Sequence, residues 1–127
     1  MAKGYKLLWR NVDGALESFS AGFHTINYAK HQKAEAPTGT KLFAFEDNRL
    51  AQQAWQRWQE GHKELELWEI EMPNEYLGGT TIASFVTDIE RYWEAYREQR
   101  TPTDVNIQKA IQGTVLVDWV IPLKRVM

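Results

Sequence analysis

Lys63-Glu-Leu-Glu-Leu-Trp-Glu-Ile-Glu-Met72 is the stretch whose reading decides the fold. Charged and apolar residues alternate with period two, the pattern of a β-strand. The alternation slips once. Leu65 and Leu67 fall on one face, and Trp68, Ile70 and Met72 fall on the other. A single register cannot bury both sets on one face. Either a β-bulge lies near Leu67 and Trp68, or both faces of this strand are covered.

The flanking segments supply what could cover them. Upstream, Thr40–Phe45 (TKLFAF) reads as a strand, and Glu46-Asp47-Asn48 follows it. Asp47 or Asn48 caps a helix running to about Glu60, because a short polar side chain satisfies an otherwise unpaired backbone N–H. Leu50, Ala51, Ala54, Trp55 and Trp58 form its apolar face, and Gly61 ends it. Downstream, Pro73–Thr81 is a loop. Ser84–Arg100 is predicted as the longest helix, with Phe85, Ile89, Tyr92, Trp93 and Tyr96 as its stripe and Pro102 beyond its end.

The chain ends bring further strands. Gly4–Arg10 (GYKLLWR) is short, apolar and bounded by turn residues. Thr114–Ile121 (TVLVDWVI) is a nearly continuous apolar run, as in a strand buried on both faces. Ala15–Phe23 is predicted as a short helix or helical turn, Thr25–Ala29 as a brief strand and Lys30–Thr40 as an exposed loop. A short helix is predicted from Asp104 to Gly113. The expected fold class is α+β: a mixed, mainly antiparallel sheet of about five strands with two main amphipathic helices packed on it.

Composition bounds the function. At 127 residues one globular domain over 1–127 is expected. Six tryptophans, five tyrosines and five phenylalanines supply ample apolar area to offset chain entropy. A net charge of −2 argues against general nucleic-acid binding. With no cysteine, disulfides and thiolate metal sites are excluded. No run approaches a membrane span, and the amino-terminal residues do not read as a secretion signal, so a cytoplasmic protein is expected.

Familiar catalytic patterns are missing. His24, His31 and His62 show no metal-binding spacing, and neither a GxSxG nor a GxGxxG or Walker loop occurs. Glu64, Glu66, Glu69 and Glu71 decorate one strand. Acid–base work would need one of them in an apolar pocket; the plainer reading is a solvated strand face. Lys30, His31 and Lys33 form a small basic cluster in the exposed loop.

One arrangement stands above this background. A first strand ends Leu7-Leu8-Trp9-Arg10. Pro37, Gly39 and the strand Leu42-Phe43-Ala44-Phe45 follow, then a helix with Ala51 and Ala54. A late strand runs Thr114-Val115-Leu116-Val117-Asp118-Trp119-Val120. This order resembles the ADP-ribosyltransferase fold, in particular catalytic domains of the poly-ADP-ribose polymerase type, and more exactly a small solitary domain of bacterial or phage kind. It spans Tyr5–Trp55 and Gly113–Val126. The resemblance implies that Arg10 holds a nucleotide through paired hydrogen bonds. It implies that Phe43 stacks on nicotinamide, and that Tyr28 more loosely supplies a second aromatic. The plain alternatives are a solvated strand-end arginine and two core aromatics.

Where that family places a transfer glutamate, this chain has Gln112 and Gly113. A neutral amide binds a hydroxyl but brings no negative charge to a cationic transition state. The leading expectation is therefore a domain that binds an NAD- or ADP-ribose-derived nucleotide without turnover, in the manner of a protein sequestering a signalling nucleotide. Arg10, Tyr28, Phe43 and Gln112 are its ligand-binding residues, with no metal or required cofactor. One alternative is an active ADP-ribosyltransferase using Glu69 or Glu71. Another is a protein-interaction or inhibitor module, or a homo-oligomer, using exposed aromatics such as Trp68, Trp93 and Trp119.

Overall fold

The computed structural model describes residues 1–18, 26–61, 64–78, 81–83, 93–94, 97–98, 107–109 and 113–127. Eleven strands and one complete helix stand among them. They are β1 (Ala2–Arg10), β2 (Leu16–Ser18), β3 (Asn27–Tyr28), β4 (Ala34–Glu35), β5 (Leu42–Phe45), α1 (Asn48–Gln59), β6 (Leu65–Met72), β7 (Leu77–Gly78), β8 (Thr81–Ala83), β9 (Ile107–Lys109), β10 (Thr114–Val117) and β11 (Trp119–Arg125). The fold is mixed α/β and mainly an antiparallel sheet.

The strand order β4-β11-β6-β1-β5-β10-β7 hides a closure. β10 pairs with β5, Val115 opposite Ala44 and Val117 opposite Leu42. After a bend at Asp118 the same chain continues as β11 and pairs with β6, Ile121 opposite Glu71. One bent strand thus joins the two ends of the series β6-β1-β5, and the sheet closes on itself in a barrel-like ring. A strand that bends and changes partners makes such a corner.

Closure divides the apolar residues into an inside and an outside. Leu8, Leu42, Ala44, Trp68, Ile70, Met72, Val115, Val117 and Val120 form the inner cluster with Leu16 and Tyr28. Leu7, Phe45, Leu65 and Leu67 face outward and are covered by Ala51 and Ala54 of α1, with Trp55 and Trp58 at the margin. This answers the slip in the 63–72 alternation. β6 pairs with β1 from Ala2↔Met72 to Trp9↔Leu65 without a shift, so there is no bulge in it. Trp68, Ile70 and Met72 are buried in the ring, and Leu65 and Leu67 are buried on the other face under the helix. The register does shift in the sheet, but in β11, between Pro122 and Lys124.

α1 forms where the sequence places it. The Asp47 side chain accepts from Leu50 N at 2.9 Å, and Gly61 follows the helix with a φ of 82°. Two small residues, Ala51 and Ala54, let it lie close on β6, and the Trp55 indole donates to the Leu65 carbonyl at 3.1 Å. The second predicted helix, Ser84–Arg100, falls largely outside the described residues. Trp93, Glu94 and Arg97 are helical, and Glu98 N donates to Glu94 O at 3.0 Å.

Two predicted helices need correction. Leu16–Ser18, inside the segment 15–23, is a strand whose partners are Leu8–Arg10 of β1 and Asn27–Tyr28. Ile107–Lys109, inside 104–113, is a strand paired with Thr81–Ala83. Pairing with distant residues overrides weak local helix preference in segments this short. The 30–40 loop, which stays largely exposed, contributes the two-residue β4 to β11. The 73–81 loop contributes β7 to β10.

Candidate functional site

β1 aims its side chains alternately into and out of the ring. Lys6, Leu8 and Arg10 point in; Tyr5, Leu7 and Trp9 point out. The sheet therefore decides where each predicted ligand residue lies. Tyr5 pairs directly with Phe45, so Phe45 and Phe43 share the outward face, where the Phe43 ring meets Trp93 at 5.7 Å between centroids and 31° between planes. Arg10 lies on the inward face. Arg10 and Phe43 are separated by the thickness of the sheet and do not line a common cleft. Tyr28 is on the side of Arg10, since Arg10 pairs with Leu16 and Leu16 with Tyr28. It is buried, however, with its ring against the Lys6 amine. Gln112 lies outside the described residues.

What gathers around Arg10 is a charge cluster at one end of the ring. Glu66, opposite Leu8 on β6, has a side chain only 4% exposed. Arg10 grips it with both arms of the guanidinium, Nε to Oε2 at 2.6 Å and Nη2 to Oε1 at 3.1 Å. The Trp68 indole donates to Oε1 at 3.0 Å. Arg125 of β11, placed by its pairing with Trp68, brings Nη1 to 3.7 Å from Oε2. Arg10 Nη1 also donates to the Gly14 carbonyl at 2.7 Å, which fixes the turn after β1.

The electrostatics follow from this set of donors. Burial by itself would raise the Glu66 carboxyl, but hydrogen bonds from Arg10 and Trp68 and the charges of Arg125 and Arg10 carry it below its usual value. The hydrogen bond to Glu66 raises Arg10 further, against a smaller opposing effect of burial. One carboxylate thus faces two guanidinium groups whose side chains are 40% and 55% exposed. Arg125 Nε donates to the Met127 carbonyl, which leaves its Nη donors with no acceptor in hydrogen-bond reach among the described residues. The cluster presents two partly exposed guanidinium groups beside one buried carboxylate. Such guanidinium groups suit phosphate or carboxylate oxygens.

The other predicted features fall elsewhere. Glu69 and Glu71 are on the outward face of β6, away from Arg10, and Glu69 has Lys124 at 3.9 Å. Trp68 and Trp93 are buried. Trp119 is half-buried, with Lys33 Nζ 4.7 Å above its ring. Among the described residues the large apolar side chains left exposed are Met1, Val12 and Tyr76, not a tryptophan cluster. The Lys30–Lys33 segment is docked on β11, His31 N donating to Pro122 O at 2.7 Å. His24 and His62 are outside the described residues. No group of three metal-ligating side chains occurs among the described residues, and no described helix is long and apolar enough to cross a membrane.

Two participants escaped the sequence reading. Glu66 reads in the sequence as one of four alternating glutamates on a solvated face, and Arg125 carries no role in the irregular extension of the last strand over 123–126. The available signal was the even spacing of Lys6, Leu8 and Arg10, which puts a lysine and an arginine on the face of a core leucine. Comparison with protein-family models, curated proteins and solved structures returns no match for this chain.

Proposed function

We propose that this chain is a binding domain for a phosphorylated small molecule of the nucleotide class, held by its phosphate on Arg10 and Arg125 and released unchanged. The observation that carries this reading is the Arg10–Glu66–Arg125 cluster. A buried carboxylate clamps one guanidinium in a fixed orientation, while the second arginine keeps free donors beside it. Preorganised donors lose little entropy on binding an anion. Absence of turnover follows from the same contacts. Glu66 is committed to Arg10 and Trp68 and held ionised, so it is no proton donor at neutral pH, and Glu69 and Glu71 are on the far side of the sheet. Arg10 keeps the nucleotide-contacting role that the family resemblance assigns to it. Phe43 does not serve as a wall of this site.

Titration calorimetry with NAD, ADP-ribose and pyrophosphate tests the proposal. At least one should bind the wild type, and Arg10→Ala and Arg125→Ala should each weaken it by about tenfold or more, since a charge-assisted phosphate contact is worth some 1.5–3 kcal/mol. Affinity should fall as salt rises. Absence of binding at millimolar ligand, or affinity unchanged in both variants, overturns the reading. Hydrolysis or transfer of NAD by the pure protein overturns the claim of release unchanged.

A further inference from the structure

We propose that Lys6 is a proton-controlled latch on the seam between β1 and β5, the neutral amine letting the seam close and the ammonium driving it open. The seam is a feature of the pairing. Among the described residues β1 meets β5 at the single pair Tyr5↔Phe45, and from Leu8 to Arg10 its partner on that side is β2 instead. Between these two contacts the strands part. Lys6 sits at the parting, points into the ring and is only 5% exposed. Its Nζ crosses the gap to donate to the Phe43 carbonyl of β5, with the Tyr28 ring centroid 5.6 Å away.

Lys6 is poorly provided for as a cation. An ammonium has three donors, and one carbonyl and one ring face are what it meets here. No carboxylate lies within ion-pair range of it among the described residues. Among the described residues the charged and titratable groups on the inner face, besides Lys6, are Arg10 of β1, Glu66 of β6, Tyr28 of β3 and Arg125 of β11. Glu66 is already claimed by the two arginines. β5 and β10 present Leu42, Ala44, Val115 and Val117. Burial accordingly pulls the amine from 10.5 down to about 7. In an opened seam the amine is in water and returns to 10.5. The open form then binds one more proton than the closed form between those values. Opening is favoured as pH falls through that window and levels off below about 7. The inference does not depend on the anion site, which uses neither Lys6 nor Phe43.

Amide hydrogen exchange on the full chain tests it. After correction for intrinsic exchange, protection at Phe43 and Ala44 should rise between pH 7.5 and 9 by up to about tenfold per pH unit, the slope of a one-proton opening. In Lys6→Met, which keeps the length and removes the charge, protection should be high and independent of pH. A flat wild-type profile, or the wild-type slope persisting in Lys6→Met, overturns the latch. Should Lys6→Met not fold, the titration of isotope-labelled Lys6 by NMR decides. A midpoint near 7 supports the latch and one near 10 overturns it. Calorimetry of the anion site at both ends of the pH range keeps the two proposals distinguishable.

Discussion

Glu66 and Lys6 share the inner face of one sheet and meet burial in opposite ways. Glu66 keeps its charge because Arg10 and Trp68 donate to it and Arg125 adds a second positive charge beside it. Lys6 is held less firmly charged, burial lowering its amine to about 7. Removing the partner of a buried ion is costly, since the remaining groups lose their compensation. Glu66→Ala should therefore destabilise the fold by about 2–4 kcal/mol in urea unfolding, the partial exposure of both arginines keeping it below the deepest cases. The lowered carboxyl gives stability that is full above its ordinary value of 4.5 and is lost as pH falls through the folded value. An acid titration should show the wild type losing stability below about pH 4.5 more steeply than Glu66→Gln. At this scale the sequence was partly legible. Arg10 is singled out in the sequence through the resemblance, as the polar residue that closes the first strand. Its partners are not, because β6 carries four alternating glutamates and nothing local distinguishes the buried one.

The elements show which signals are local. α1 was readable from 48 to its glycine stop because cap, period and termination all lie within its own residues. Asp47→Ala should cost about 1 kcal/mol, the loss of one capping hydrogen bond, as thermal or urea unfolding will show. Gly113 enters β10 with a φ of 91°, and a Cβ there would come within 2.7 Å of Leu50 Cδ1 on α1. A side chain at that position would force Leu50 to move and would strain the backbone at positive φ. β2 and β9 show the reverse case. Leu16, Phe19 and Phe23 are near helical spacing, yet Leu16–Ser18 takes its hydrogen bonds from β1 and β3. A three-residue strand has no period of its own to read, and its partners lie far off in sequence.

For the whole molecule the decisive event is closure of the sheet through the bend at Asp118. It makes one side of β6 an interior and leaves the other for α1. Leu67→Ala and Ile70→Ala, on opposite faces and both fully buried, should each cost about 2–5 kcal/mol. A sheet covered on one face would spare one of the two, so equilibrium unfolding of both variants reads the closure directly. Closure also parts Arg10 from Phe43. Both positions looked like walls of one cleft when strands were read as a list, because a list carries no inside and outside.

By itself the sequence determined the main strands, the helix 48–59 with a cap at Asp47 or Asn48, and the phase slip in 65–72 that either a bulge or two covered faces would explain. These rest on period, capping and composition, which act over a few residues. Tertiary structure alone decided which face each strand turns inward, that Arg125 joins Arg10 at Glu66, and that Lys6 is buried with no carboxylate in ion-pair range among the described residues. Each of these depends on the register and closure of strands brought together from distant parts of the chain, and a period of two is indifferent to which of its two faces becomes the interior.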